Sequence, residues 1–261
     1  MNQKKGNGMG QIICLGTANA IPGIDRENTH LLIRHQQEAI LIDCAANPIV
    51  HLQRGGIDFE QINHLILTHF HPDHVSGAPL FLMDLWLMGR KKPLFIYGLE
   101  HTLSRLQAMM DLYDWRNWPG FFPLEYRVIP EAEQVPLLKL DGLEIVASPV
   151  KHLLPTIGIR ARFEQFHKTV AYSSDTEPYE GFIRLAQGAD VLIHEAAGHS
   201  IGHSSARQAG EVAQLAGVKR LYLIHYPSAV NKEHLIREAQ EVFSGVVLAC
   251  EDFMKIELAE I

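Results

Sequence analysis

Short apolar runs alternate with turn residues along the whole chain, which is typical of buried β-strands joined by tight connections. Between many of these runs lie longer segments with apolar residues at helical spacing. Strands interleaved with helices predict an α/β chain in which helices cover the sheets. The predicted strands are 12–15, 31–34, 39–42, 64–68, 94–97, 143–147, 157–163, 169–174, 191–194, 221–224 and 246–249, and the predicted helices are 49–54, 80–88, 100–113, 181–187, 205–216 and 232–243.

The two strand-rich halves are similar in length, and no low-complexity tract or charge block separates them. A chain of 261 residues is long enough to bury one full-sized core. We therefore expect two sheets packed together in a single domain over residues 11–261, preceded by a flexible N-terminal tail over residues 1–10.

Composition excludes several classes of protein. Hydrophobic residues make up 47% and charged residues 20% of the chain, and no apolar run approaches the ~18 residues of a membrane span. The formal net charge of −7 provides no global basic field for nucleic acid. The three cysteines, Cys14, Cys44 and Cys250, form no CxxC pair, which favours a reducing, cytoplasmic location. The 15 histidines are an excess that indicates metal chemistry.

One motif carries that chemistry. The apolar strand predicted over 64–68 runs directly into His69, His71, Asp73 and His74, four potential ligands within six residues. Imidazole and carboxylate groups bind zinc and similar divalent ions, and a loop at the end of a strand can turn alternate residues toward one point. Solvated loop histidines are the alternative interpretation, but such dense clusters seldom arise that way.

An HxHxDH motif after an apolar strand resembles the signature of the metallo-β-lactamase superfamily. Gly16-Thr17 and Leu41-Ile42-Asp43 resemble that superfamily's early elements. The resemblance implies a four-layer αβ/βα sandwich of two mixed β-sheets flanked by helices. It also implies a dinuclear metal site, with zinc preferred and manganese the alternative. By this resemblance, one metal is held by His69, His71 and His152, the second by Asp73, His74 and His225, and Asp175 bridges them, while Asp43 orients a ligand from behind.

The residues themselves agree with this assignment. His152, Asp175 and His225 each follow an apolar strand, where strand ends commonly present site residues. Two metals close together would lower the pKa of a bridging water, so that hydroxide forms near neutral pH, and hydrolysis is the natural reaction. Flavodiiron proteins resemble the same pattern but carry Glu where His71 stands, so His71 favours hydrolysis over reduction.

A second pair of motifs indicates the branch of the superfamily. The segments starting at His194-Glu195 and at His203-Ser204 resemble two elements of the ribonuclease Z group of phosphodiesterases. By resemblance, His203 is the general acid, Glu195 is its partner and Asp73 also contacts the nucleophilic water. Ser205 and Gln208 predict a capping box that would fix His203 just before a helix. In the alternative interpretation, Glu195 and His203 only tie a loop together.

Two neighbouring histidines are weaker candidates. We expect His194, at a strand end, to be a buried structural histidine. His199 competes with His203 for the acid role, but only His203 is followed by the Ser-Ser-Ala helix start.

Departures from ribonuclease Z bear on the substrate. The interval of 23 residues from His152 to Asp175 leaves room for a hairpin with its turn near 164–168, but none for the tRNA-binding arm of the long forms. After His225, the usual Ser-x-Arg-Tyr is replaced by Pro227-Ser228-Ala229-Val230. We therefore expect a small phosphodiester rather than mature tRNA processing, with an RNA 3′ end as the larger candidate.

Two other functions stay open: a lactonase or thioesterase of the same superfamily, and a non-enzymatic metal-dependent scaffold. Ribonuclease Z relatives are often dimers, so the resemblance also implies a homodimer.

Two further segments are expected to have structural rather than functional roles. The aromatic-rich segment 111–123 is expected to be a hydrophobic plug rather than a stacking wall for a base. Arg90-Lys91-Lys92 is expected to be a solvated loop rather than a phosphate track.

Overall fold

The computed structural model describes residues 10–261. Residues 1–9 of the predicted tail lie outside the described residues. Gly10 already belongs to the first strand, so the predicted tail is wrong at this residue.

The described chain contains strands and helices in alternation. The strands are β1 (Gly10–Gly16), β2 (His30–His35), β3 (Glu38–Ile42), β4 (Ile62–Ile66), β5 (Leu94–Leu99), β6 (Leu124–Ile129), β7 (Val135–Leu140), β8 (Leu143–Pro149), β9 (Ile157–Phe163), β10 (Lys168–Tyr172), β11 (Val191–Glu195), β12 (Arg220–Ile224), β13 (Val246–Ala249) and β14 (Lys255–Glu257). The α-helices are α1 (Pro48–Arg54), α2 (Pro72–Val75), α3 (Ala78–Leu87), α4 (Glu100–Asp111), α5 (Glu180–Ala186), α6 (Ala206–Leu215) and α7 (Lys232–Gln240).

These strands form two mixed seven-stranded sheets. The first has the order β14-β1-β2-β3-β4-β5-β6, and the second has the order β13-β12-β11-β10-β9-β8-β7. An apolar core that includes Ile33 and Ile145 fills the space between the sheets. A second core, around Phe81, packs α1, α3 and α4 on the first sheet, and a third, around Phe182, packs α5, α6 and α7 on the second. The predicted four-layer sandwich of two mixed sheets flanked by helices is confirmed.

The parallel parts of the two sheets position the candidate site. β3, β4, β5 and β6 are parallel neighbours in the first sheet, and β10, β11, β12 and β13 are parallel neighbours in the second. Parallel strands end at the same edge of a sheet, where loops commonly carry functional residues. The two sheets are joined at this edge, because the amide of Ile157 donates to the carbonyl of Thr68 at 3.1 Å.

The sequence pattern did not predict β6, β7 and β14. All three are edge strands, and β6 and β7 both expose residues to solvent without a strict alternation. Pro136 within β7 also weakens its strand signal, although an edge strand tolerates proline. The pattern also missed the single turn of α2, and it extended β4 to Thr68 although the strand ends at Ile66.

The region between His152 and Asp175 contains the predicted hairpin. β9 and β10 pair antiparallel with Phe163 opposite Lys168, so residues 164–167 make the turn.

The aromatic-rich segment 111–123 packs as predicted, whereas Arg90 does not. Trp115, Trp118 and Phe121 pack against the second core, and the rings of Trp86 and Trp118 stack with centroids 5.0 Å apart, as expected for a plug. Arg90 contradicts the solvated-loop prediction, because it is 1% exposed and its guanidinium donates to the carbonyl of Pro93 at 2.8 Å.

All three cysteines are buried and unpaired. Among residues 10–261, no helix combines the length and the apolar character needed to cross a membrane.

Candidate metal centre

The loop after β4 brings the HxHxDH residues to the sheet edge. His69 follows the strand, His71 is the N-cap of α2 and Pro72 is its first residue. Proline is preorganised for this position because its fixed φ suits the first turn and its missing N–H is not needed there. The turn of α2 then presents Asp73 and His74 toward the same side as His69.

Three strand-end residues at this edge have a strained backbone. Asp43 after β3, Ser174 after β10 and His225 after β12 have φ values of 62°, 54° and 55°. Left-handed φ is uncommon for residues other than glycine, and such strain persists where the surrounding structure enforces it, often at functional sites.

One group of side chains that could hold a metal ion comprises His69, His71, His152 and Asp175. His71 Nδ1 lies 3.1 Å from Nε2 of His69 and 3.1 Å from Nε2 of His152. Asp175 Oδ2 lies 3.9 Å from His69 Nε2 and 4.0 Å from His152 Nε2.

The second group comprises Asp73, His74, Asp175 and His225. Nε2 of His74 lies 3.5 Å from Asp73 Oδ2 and 3.4 Å from Asp175 Oδ1. Nε2 of His225 lies 3.2 Å from Asp175 Oδ2. Asp175 therefore belongs to both groups, and its single carboxylate is shared between them.

The donor atoms fit divalent ions. Nitrogen ligands ~2.0–2.1 Å from a tetrahedral zinc ion stand roughly 3.3 Å apart, close to the separations around His71. Nε2 of His74 and Oδ1 of Asp175 are buried, and neither has a hydrogen-bond partner among the described residues. A bound cation would satisfy both atoms, since buried polar groups otherwise need partners.

The protonation of the imidazoles also suits metal binding, which needs neutral rings. Burial lowers the pKa of His69, His71 and His152, and it lowers the pKa of His225 to about 4. His74 differs. Burial opposes its charged form, but the carboxylates of Asp175 and Asp43 outweigh burial and raise its pKa, so a metal ion would displace a proton there.

Partners behind the rings fix which nitrogen faces the centre. Asp43 Oδ2 accepts from Nδ1–H of His74 at 2.8 Å, and Thr68 Oγ1 accepts from Nδ1–H of His69 at 3.0 Å and donates to Asp43. His225 Nδ1–H donates to Thr29 Oγ1 at 3.1 Å. In these three rings Nε2 is left to face the centre, an arrangement typical of metal ligands.

In His152, too, Nδ1 bonds to a group behind the ring and leaves Nε2 to face the centre. Nδ1 donates to the carbonyl of Gly202 at 2.7 Å. Asp43, in contrast, belongs to neither candidate group, and its carboxylate lies behind His74.

Glu195 and His203 meet beside the two groups. Nδ1 of His203 lies 3.0 Å from Oε1 of Glu195 and 4.0 Å from Oδ2 of Asp175. Glu195 is wholly buried at the end of β11 and also accepts from the amides of Thr176 and Ala197. Burial raises the pKa of the Glu195 carboxyl to about 7, and the hydrogen bond to Glu195 raises the pKa of His203.

A pocket of about 340 Å³ opens over the centre. Asp73, Asp175, His203 and His225 line it together with Asn19 and Ser200, so the imidazole of His203 and the two metal groups share one cavity. None of its described lining residues is Lys or Arg.

The two weaker histidines lie elsewhere. His194 is fully buried, its Nδ1 lies 2.8 Å from the carbonyl of Glu195, and burial lowers its pKa to about 4. His199 lies 3.1 Å from Oε1 of Gln208 and does not line the pocket. The capping box of Ser205 and Gln208 is present, as predicted.

Sequence reasoning missed the residues that support the candidate ligands from behind. Thr29, Thr68 and Gly202 contact the rings of candidate ligands, and Asn19 and Ser200 line the pocket. Thr68 and Gly202 each stand directly before a motif, at His69 and at His203, but nothing in the sequence indicates which ring each of them contacts.

Comparison with known proteins identifies relatives over most of the chain. Residues 38–226 match the family model described as the beta-lactamase superfamily domain. The chain is similar to Ribonuclease Z of Methanothermobacter thermautotrophicus, with 27% identity over 96% of this chain and 97% of that relative. These matches confirm the resemblance that the sequence motifs indicated.

Solved structures share the fold. The metallo-beta-lactamase fold protein YhfI from Bacillus subtilis superposes with a TM-score of 0.82 at 22% identity, covering 96% of this chain and 100% of that one. The short form of human tRNase Z superposes with a TM-score of 0.78 at 23% identity, covering 95% and 99%.

Proposed function

The chain belongs to the beta-lactamase superfamily, and from this premise we propose that it is a dinuclear metal-dependent phosphodiesterase of the ribonuclease Z type. One observation carries the proposal: the Glu195–His203 pair lies beside two metal-competent groups that share Asp175. The similarity to Ribonuclease Z supports it.

We assign the ligands as the sequence predicted. His69, His71 and His152 hold one ion, Asp73, His74 and His225 hold the other, and Asp175 contributes to both. Zinc fits the nitrogen-rich first group, and manganese is the alternative. Divalent ions bound there would lower the pKa of a bound water and offset charge on a phosphoryl oxygen.

The protein's own residues supply the proton chemistry. Glu195 accepts from Nδ1–H of His203, which leaves Nε2 to donate a proton to the leaving alkoxide. Asp73 lines the same pocket, where its carboxylate can accept a hydrogen bond from the attacking water. The Glu195–His203 pair favours hydrolysis of a phosphodiester over opening of a lactone, because opening of a lactone depends less on a general acid.

The substrate we propose is a small phosphodiester, with an RNA 3′ end as the larger candidate. Two features support the smaller ligand. The tight β9–β10 hairpin leaves no room for a tRNA-binding arm. The described residues that line the pocket include no Lys or Arg, whereas a polynucleotide needs cationic contacts. We also propose a cytoplasmic location, supported by three unpaired buried cysteines, and a homodimer, supported by the ribonuclease Z resemblance.

A parallel assay tests the proposal. The purified chain, with metal content measured by mass spectrometry, is offered a 2′,3′-cyclic nucleotide, a precursor tRNA and an acyl-homoserine lactone, each with added zinc or manganese. We expect cleavage of the cyclic nucleotide and an intact lactone. Turnover of the lactone alone would overturn the proposal.

A further inference from the structure

The carboxylate of Glu177 joins two segments that carry candidate site residues, although Glu177 belongs to neither metal group. Its Oε1 accepts from the amide of Gly202 at 3.0 Å, and its Oε2 pairs with Nζ of Lys151 at 2.7 Å. Gly202 directly precedes His203, and Lys151 directly precedes His152. One side chain thus spans the segment of a metal ligand and the segment of the general acid.

The backbone carbonyl of Gly202 connects Glu177 to His152. Its carbonyl accepts from Nδ1–H of His152 at 2.7 Å, while its amide donates to Glu177. The residue has φ of +83°, and a Cβ added to it would lie 2.9 Å from Nδ1 of His152. Only glycine allows the backbone to approach the imidazole this closely.

Backbone hydrogen bonds anchor Glu177 itself. Its amide donates to the carbonyl of Lys151 at 2.8 Å, and the amide of Lys151 donates to Oγ1 of Thr176 at 3.1 Å. The anchor lies two residues after Asp175, the carboxylate that both metal groups share. The contacts from Glu177 through Gly202 to His152 and back through Lys151 therefore close into a ring of hydrogen bonds.

We propose that Glu177 is a positioning residue that, by fixing Gly202, sets both the orientation of the His152 imidazole and the location of His203. A carbonyl or carboxylate behind a ligating histidine fixes its ring, and loss of such a partner typically weakens metal affinity about 10–100-fold. The consequence for His203 rests on the proposed function. The consequence for His152 requires only that its Nε2 binds a metal ion.

Three substitutions separate the contacts of Glu177. Glu177→Ala removes both contacts, Glu177→Gln keeps an oxygen acceptor for Gly202 without the charge, and Lys151→Met removes only an exposed ion pair. Glu180→Ala is the matched control, because its side chain is 91% exposed three residues along the chain. Each full-length variant is loaded with zinc and titrated with a chromophoric chelator, which resolves the affinities of the two sites.

We expect Glu177→Ala to weaken one of the two zinc sites by about 10–100-fold and to leave the other within about threefold. Glu177→Gln should lose less zinc affinity than Glu177→Ala. Lys151→Met should keep both zinc affinities within about fivefold of the wild type, and Glu180→Ala should have the zinc affinities of the wild type. If Glu177→Ala does not fold, Glu177→Asp, which retains the charge on a shorter side chain, should show the same selective loss.

Unchanged zinc affinities in folded Glu177→Ala would overturn the inference. An equal loss at both sites, with lower stability of the metal-free protein, would also overturn it, since that result indicates general destabilisation. The titration needs no substrate, so it decides the inference even if the wild type cleaves no phosphodiester. Conversely, a phosphodiesterase with unaltered zinc binding in Glu177→Ala would contradict the inference alone.

Discussion

Asp43 and His74 form a hydrogen bond of 2.8 Å between two side chains that are both fully withdrawn from solvent. Oδ1 of the same carboxylate accepts from the amide of Thr68 at 2.8 Å, so its position is fixed independently of the imidazole. Burial raises the pKa of Asp43, although the His74 contact acts in the opposite direction. The geometry directs Nε2 of His74 toward Asp175.

We expect Asp43→Asn to weaken the metal site that includes His74 by about 10–100-fold, because the neutral amide supports the imidazole less well than a carboxylate does. Zinc competition titration measures the loss. Asp141→Asn, in the exposed turn between β7 and β8, is the control and should bind zinc like the wild type. Zinc affinity that survives Asp43→Asn would show that the carboxylate charge does not support the ligand.

The acid role proposed for His203 predicts that the effect of removing this histidine depends on the leaving group. His203→Ala should lower turnover of a phosphodiester with an alkoxide leaving group by about 10²–10⁴-fold, and should affect bis-p-nitrophenyl phosphate far less, since that leaving group needs little protonation. His199→Ala is the control, because His199 does not line the pocket. Equal losses on both substrates would exclude His203 as the general acid.

The candidate ligand positions could be predicted from sequence because local signals converge on them. An apolar strand followed by His69-x-His71-x-Asp73-His74 places four candidate ligands in one short segment, and the fold brings the ends of other strands to the same edge. The same logic identified His225, directly beyond β12, and Asp175, three residues beyond β10.

The supporting partners could not be predicted, because their contacts connect distant segments. Thr29 and His225 are 196 positions apart, and His152 and Gly202 are 50 apart, so no periodicity or spacing relates them. Arg90 illustrates a different failure. Its neighbours are charged, but backbone carbonyls and Asn63 accept from Nε and Nη2 of its guanidinium inside the protein, which local composition does not reveal.

Asp190 predicts a pH-dependent contribution to stability. Burial alone would raise the pKa of its carboxyl, but hydrogen bonds from Lys219 and from the amide of Thr169 outweigh burial and lower it. A lowered folded-state pKa means that the contribution is present above the ordinary value of about 4 and is lost as pH falls through the folded value.

Asp190→Asn should therefore lower the free energy of unfolding by about 1–2 kcal/mol at pH 7, and the difference from the wild type should shrink as the medium is acidified below pH 4. Urea unfolding of both proteins without added metal, at several pH values, measures this. The exposed Asp141→Asn should show no comparable difference. A constant difference at every pH would contradict the assigned role of the carboxylate charge.

The capping box of α6 connects helix stability to the position of His203. Ser205 Oγ accepts from the amide of Gln208 at 3.2 Å, and Gln208 Oε1 accepts from the amide of Ser205 at 2.9 Å. Asn231 caps α7 in a similar way, and its side chain accepts from the amide of His234 at 2.9 Å. Removing either cap should cost about 1 kcal/mol of stability.

Ser205 lies next to the segment of His203, whereas Asn231 does not. Comparing variants of the two caps therefore separates an effect on stability from an effect on the position of His203. Ser205→Ala and Asn231→Ala should lower the free energy of unfolding similarly in urea. Ser205→Ala should also lower turnover, by up to ~10²-fold, because His203 lies two residues before the cap and small misplacements of a catalytic group are costly. Asn231→Ala should turn over at the wild-type rate. If both variants lose activity alike, the loss reflects stability, and the capping box does not position His203.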